Sequence, residues 1–426
     1  MREMKDSGIE WIGQIPKDWK VKNLKYFVSF QTGGTPRNKE GIDSYGDFSW
    51  FTPSDLENNN LVNSKFFISS DAVKNNGYNL FPPNSILLCC IASVGKVGFN
   101  LYASYSNQQI TSLIPFTNTQ SKFIFYFMIA SKDKISFDAS SNVVPIINTK
   151  YLSSFSICFP NFVVQQQIAD FLDTKCSEID ATAEDIQKEI SLLEDYKKSV
   201  ITEAVTKGLN PDAEMKDSGV KWLPKIPKHW KVISSKYLFA NSDIRRQTGD
   251  EQLTASQKYG IITQKDYTAK ENAQIVLATQ GLEKWKHVEP NDFIISLRSF
   301  QGGLEMSEIT GCITWHYVVL KAQKEVYHKY YKWLFKSARY INALQGTCNF
   351  IRDGQDLRFS NFALVPLFEL PLEEQQQIAD FLDTKCSEID TLIADKKRQL
   401  DILADYKKSL IYEYVTGKKE VPAKDF

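Results

Sequence analysis

Six short polar stretches hold the side chains best suited to recognition chemistry. QTGGTPRNKE (31–40) offers Thr35, Arg37, Asn38 and Lys39, SVGKVG (93–98) offers Lys96, and YSNQQITS (105–112) offers Asn107, Gln108 and Gln109. In the second half of the chain, NSDIRRQTGD (241–250) gives Arg245, Arg246 and Gln247, and SLRSFQGG (296–303) gives Arg298 and Gln301. NFIRDGQDLRFS (349–360) adds Arg352, Gln355 and Arg358. A guanidinium reaches both O6 and N7 of guanine, and an Asn or Gln amide pairs with N6 and N7 of adenine, so these are the residue types of base-edge readout. Taken singly, each is equally an ordinary solvated loop residue.

Bond-making chemistry has no comparable support. An adenine methyltransferase would carry an Asp/Asn-Pro-Pro-aromatic tetrad, whereas FPPN (81–84) has those residue types in the wrong order. Lys96 does not complete a phosphate-binding loop, because Val97 follows it and the upstream glycine is missing. The carboxylates and lysine of PDAEMK (211–216) are crowded into one turn, where they cannot converge on a cation from separate elements. Neither Gly-x-Ser-x-Gly nor His-Glu-x-x-His occurs. The chain is expected to bind rather than to catalyse, with no metal site.

The elements that must position those loops are written twice. QQQIADFLDTKCSEID occupies 165–180 and again 375–390, and MKDSGIEWIGQIPKDWKV (4–21) returns as MKDSGVKWLPKIPKHWKV (215–232). The offsets of 210 and 211 residues agree, so the chain is one module duplicated. That period is far too long for a solenoid and suits a pseudo-symmetric pair closing about a two-fold axis.

From each copied segment onward, apolar residues step by alternating threes and fours. The first seam includes Leu172, Ile179, Ile186, Leu193 and Val200, interrupted by Lys197. The second includes Leu382, Ile389, Ile393, Leu400, Leu403 and Leu410, with Lys396 and Lys407 at seam positions. The pattern predicts two coiled-coil helices of about 43 residues, about 64 Å long at 1.5 Å per residue. Pro371 and the acids Glu373 and Glu374 mark the start of the second, and Gly208 and Gly417 mark the two ends. GLNPDAE (208–214) is a turn at which the chain reverses, making the helices antiparallel.

The expected organisation is a docking segment (1–21), a first recognition domain (22–160), a central helix (161–210), a repeated docking segment (211–232), a second recognition domain (233–370) and a C-terminal helix with its tail (371–426). Both domains read as mixed α/β globules. SILLCCIASVGKVG (85–98) and DFIISLRSFQGGLE (292–305) are expected as strands ending in Gly-containing turns, with helices following at 122–131 and 328–340. The fold class is α+β. The framework stayed alike between the halves while the globules diverged, so the halves share a scaffold and differ in what they touch.

Composition is compatible with this. Equal numbers of acidic and basic residues, 51 of each, argue weakly against a surface coated in basic patches, yet leave room for one positive face. Seven cysteines without a CxxC pair, and no apolar N-terminal stretch, suit a reducing cytoplasm.

PLEEQQQIADFLDTKCSEID (371–390) and its earlier copy, MKDSGIEWIGQIPKDWKV and its later copy, and ISLRSFQGGLE (295–305) together resemble the specificity subunits of type I restriction-modification systems. The resemblance covers nearly the whole chain. It implies two target recognition domains held apart by antiparallel helices, each domain reading one half of a bipartite site in double-stranded DNA. It further implies that the chain is not itself an enzyme. Two modification subunits using S-adenosylmethionine, and restriction subunits using ATP and Mg, would dock on it. The first long helix departs from the pattern by starting with PNFVVQQQ, without the acidic first turn. The alternative reading is a structural coiled-coil adaptor whose globules bind proteins.

Overall fold

The computed structural model describes residues 2–35, 42–139, 144–271, 278, 280–296, 299–347 and 357–422. The chain divides into two compact units, one comprising Met1–Ile186 with Arg398–Phe426 and the other Gln187–Lys397. Both long helices, Phe162–Lys207 and Leu372–Val415, contribute one part to each unit.

The helices form for the reasons visible in their sequence. Asn161 caps the first by accepting the Val164 N–H at 3.0 Å. Gly208 (φ +77°) and Gly417 (φ +71°) end the two helices in the left-handed region that glycine enters without steric cost. Every predicted seam residue is buried or half-buried. The three seam lysines are each paired with an acid of the other helix. In the first unit Lys407 meets Asp180, and in the second Lys396 meets Glu189 and Lys197 meets Asp390. In the first unit Phe171 also packs on Tyr414, so in each unit residue numbers rise on one helix as they fall on the other and the pairing is antiparallel.

In the first unit, the strand Lys20–Asn23 pairs with Ser156–Phe159 beside the root of the first long helix. A five-stranded sheet then runs in the order Val28–Thr32, Ile110–Pro115, Ile86–Cys89, Val97–Asn100 and Asn59–Leu61. Only the last pairing is parallel. A second, four-stranded sheet holds Ser104–Ser106, Phe48–Phe51, Phe66–Ile68 and Ile42–Asp43. The helix Ser121–Ala130 covers the larger sheet with Phe123 and Phe127, and the core continues into Leu172 of the first long helix and Val415 of the second. Each such buried side chain contributes roughly 1.5–3 kcal/mol.

The second unit repeats this framework. Lys231–Ile233 pairs with Leu367–Glu369, and a four-stranded antiparallel sheet runs Phe239–Ser242, Val318–Ala322, Phe293–Ile295 and Glu305–Met306. Two separate ladders, Leu253–Ser256 with Gly260–Thr263 and Lys286–Val288 with Gly311–Ile313, replace the second sheet. The helix expected at 328–340 is two helices, His328–Lys336 and Ala338–Gln345. Ser337 breaks the run: its backbone is extended (ψ 139°), and its hydroxyl accepts the Tyr340 N–H to cap the second piece.

The repeated sixteen residues anchor each globule in the same way. Gln165 accepts the Gln120 N–H at 3.0 Å, and Gln375 accepts the Tyr327 N–H at 2.9 Å, each at the start of the globule's packing helix. Asp173 accepts from Lys122 (3.0 Å) and the Tyr126 hydroxyl (2.6 Å), as Asp383 accepts from Lys329 (3.0 Å) and the Trp333 indole (2.9 Å). Gln165 and Gln375 are buried, so each would be costly to leave unpaired.

Candidate nucleic-acid interface

Strand register shows which loops of the two modules correspond. Phe30 opposes Leu113 in the first unit, and Asn241 opposes Leu320 in the second. Phe30 and Asn241 stand 211 residues apart, the offset of the duplicated segment, so Leu113 corresponds to Leu320. The turn before each of these strands is closed alike, by Ile110 N–H to the Asn107 carbonyl at 3.2 Å and by Tyr317 N–H to the Thr314 carbonyl at 3.0 Å. Asn107-Gln108-Gln109 and Thr314-Trp315-His316 therefore occupy one position of the shared fold.

In the first unit this turn meets the loop that follows the strand Val28–Thr32. Gly33 N–H donates to the Ile110 carbonyl and Gly34 N–H to the Ser106 carbonyl, both at 3.0 Å. A Cβ on Gly33 would collide with the Asn107 carbonyl and the Ser106 hydroxyl, which is why glycine stands there. Thr35 donates its hydroxyl to the Gln108 side chain. Asn107 orders the turn internally, giving its amide to Gln109 at 2.9 Å and accepting the Gln109 N–H at 3.1 Å. Lys96, half-buried, sits on the neighbouring turn, which is tied in where Cys90 N–H donates to the Gln109 carbonyl at 2.7 Å. Thr35, Asn107, Gln108 and Gln109 are thus brought together, with the Lys96 turn beside them.

In the second unit the loop after Phe239–Ser242 runs along the ladder that leads into the equivalent turn. Arg245 bridges to Lys286, and Lys286 opposes Ile313, the residue preceding Thr314. Arg246 N–H donates to the Trp285 carbonyl at 2.9 Å. The exposed Arg245 also gives its guanidinium to the Lys284 carbonyl at 2.7 Å, and Gln247 N–H donates to Asp250 at 2.7 Å.

Buried polar groups hold this arginine loop. His287 Nδ1 lies 2.9 Å from an Asp250 carboxylate oxygen, and both side chains are buried. Lys286 reaches Asp243 at 2.9 Å. At the other end of the same strand, Lys321 lies between Glu289 (2.6 Å) and Asp292 (2.9 Å). That ammonium holds Glu289 below the usual carboxylate range, while burial pushes Asp292 up despite it.

Arg358 is placed elsewhere, exposed at the start of the helix Phe359–Leu364, where its N–H donates to Asn361 at 3.1 Å. Arg37, Asn38, Lys39, Arg298, Arg352, Gln355 and the side chain of Gln301 lie outside the described residues. Residue type and spacing in the sequence do not single out Trp315, His316, His287 or Asp250. The first two become visible only through strand register, and the last two sit 37 residues apart before the fold joins them.

Among the described residues no group of three or more His, Cys, Asp or Glu is placed to hold a metal ion. None of the described helices is long and apolar enough to cross a membrane. The fold and interface define a class: a duplicated α+β scaffold whose two modules present different side chains at the same loop-and-turn junction.

Comparison with known proteins shows what that scaffold is similar to. Residues 16–192 match the model of the type I restriction modification DNA specificity domain. The specificity subunit of type I restriction enzyme MjaIX from Methanocaldococcus jannaschii is 32% identical over 190 residues, 43% of each chain. That of EcoR124I/EcoR124II from Escherichia coli is 29% identical over 196 residues, 44% of this chain and 46% of the relative. The alignments thus span less than half the length of these two relatives. The putative MjaX specificity subunit of M. jannaschii aligns over 96% of both chains at 23% identity.

The fold is shared with a chain from a structure of type I R-M complex assembly and conformational transition (TM-score 0.68, 12% identity, 95% of this chain and 99% of that one). It is also shared with the HsdS subunit of Thermoanaerobacter tengcongensis (TM-score 0.51, 13% identity, 95% and 98%). Over residues 16–192 the chain is thus similar to the type I restriction modification DNA specificity domain, and its fold is that of the two solved chains.

Proposed function

We propose that this chain is the non-catalytic DNA-recognition subunit of a type I restriction-modification complex, each module reading one half of a bipartite double-stranded site. The helix pair sets the unread gap between the halves. The observation that carries the reading is the junction just described: one scaffold, built twice, offers Thr35 and Gln108 in one module and Arg245, Arg246 and Trp315 in the other. A scaffold duplicated for symmetry alone gives no reason for its exposed loops to differ while its buried anchors stay the same.

Two copies of a modification subunit fit the duplicated docking segments and helices, and restriction subunits complete the assembly. S-adenosylmethionine, ATP and Mg belong to those partners. Buried free thiols at Cys89, Cys90, Cys158, Cys176, Cys312 and Cys386 support work in a reducing cytoplasm.

Binding of the purified full chain to its duplex across a salt series tests this. The association constant should fall linearly with salt on a log–log plot, because phosphate contacts release counterions. A protein-binding adaptor would show no DNA association of this kind.

A further inference from the structure

We infer that Trp315, stacked on His316, contacts a base in the half-site read by the second module, through apolar contact with a thymine 5-methyl group. This rests on the DNA-specificity reading above and goes beyond it by naming the residue and the feature read.

Three observations carry the inference. Trp315 is 50% exposed, so its ring is open to solvent in the turn Thr314-Trp315-His316. Its ring lies on that of His316, with centroids 3.5 Å apart and planes 29° from parallel, which holds the indole in one orientation. The turn also follows directly from the ladder beside the Arg245–Arg246 loop, at the position that Gln108 fills in the other module.

The two side chains at this shared position differ in kind. An amide such as Gln108 pairs with adenine N6 and N7, while an indole offers no acceptor and, apart from its one Nε1–H donor, presents an apolar edge. In the major groove the one apolar feature that distinguishes a base pair is the thymine methyl. Divergence at this position thus gives the modules different base preferences without altering the turn that carries them.

The test uses the full chain with its cognate modification subunit in a host. Sequencing of methylated DNA defines the wild-type motif, and Trp315→Gln should then alter or relax one position in one half, leaving the other half and the gap unchanged. An identical motif overturns the inference and leaves the DNA reading intact. A wild-type complex that yields no two-part motif overturns the DNA reading itself.

For the purified full chain on its own duplex, Trp315→Ala should weaken binding roughly tenfold, as one lost base contact does. The slope against salt should stay the same, because no phosphate contact is removed. Replacing each thymine of that half with deoxyuridine in turn should reproduce the loss at one position for wild type and add nothing for Trp315→Ala. Unchanged affinity, or a shallower salt slope, overturns the inference.

Discussion

Lys197 of the first long helix lies 2.6 Å from Asp390 of the second, and the sequence repeat makes this pair twice. Asp180 and Lys407 form it again at 2.6 Å in the other unit, with the helices exchanging acid and base. Lysines that interrupt the apolar seam are therefore used to define its register. A shift of one heptad one way sets Lys197 against Lys397 and Lys407 against Gln187, and the other way sets them against Asp383 and Asp173, which already hold Lys329 and Lys122 of the globules.

The pairs are exposed enough for water to screen them, Lys197 being 25% and Asp390 59% exposed. A double-mutant cycle of Lys197→Ala and Asp390→Ala, measured by urea unfolding, should give a coupling of about 0.2–1 kcal/mol. Replacing both lysines with leucine should raise the unfolding midpoint while allowing other registers, which crosslinking between the helices would detect.

The missing acid at the start of the first long helix leaves a specific defect. Trp230 donates its indole N–H to Glu374 at 3.0 Å, whereas the equivalent Trp19 is buried with no partner for Nε1. Val164 stands where the duplicated helix has Glu374. Val164→Glu should stabilise the first unit by on the order of 1–2 kcal/mol, as a charge-assisted bond to a buried donor does. Glu374→Val should destabilise the second unit by a similar amount, and thermal unfolding of each variant measures both.

Stability should also depend on pH through His328. Burial holds its imidazole below the ordinary value of 6.5, against the opposing pull of Asp292. The unfolded chain takes up a proton there before the folded chain does, so stability present above about pH 6.5 is lost as pH falls toward the depressed folded value. His328→Gln should flatten that part of the stability curve, measured by denaturant unfolding between pH 7.5 and 5 in a buffer series chosen around those values.

The duplicated framework was legible because identity over sixteen residues and a sustained seam need no alignment to be seen. Strands within 85–98 and 292–305 follow from apolar runs that end in Gly-containing turns, and the helix expected at 122–131 is Ser121–Ala130. The central strands Ile110–Pro115 and Val318–Ala322 were not anticipated, since each begins inside a polar turn that reads as loop. The sheet holding Phe48–Phe51 and Phe66–Ile68 was missed for a related reason: its strands are only three or four residues long and are joined by Asn-, Ser- and Asp-rich turns. Of the candidate interface, Gln108 and Arg245 were named from residue type alone. Trp315 was not, because its equivalence to Gln108 exists in the hydrogen-bonded ladder and not in the amino-acid string.

The helix pair as a ruler makes a geometric prediction. One heptad inserted in both helices, between Ile186 and Leu193 in the first and at the paired level in the second, preserves the seam. It should lengthen the pair by about 10 Å, or about three base pairs at 3.4 Å each. The unread gap of the recognised site should grow to match, with both half-sites unchanged. A gap of the original length would remove the helices as the element that sets it.

DNA recognition by this chain is tested by single-molecule sequencing of DNA from a host expressing it with its cognate modification subunit, against a host lacking only this chain. A methylated-adenine motif in two parts with a fixed gap is expected, present only when the chain is present. Assembly of the complex without any such motif would contradict DNA recognition and would favour globules that bind proteins instead.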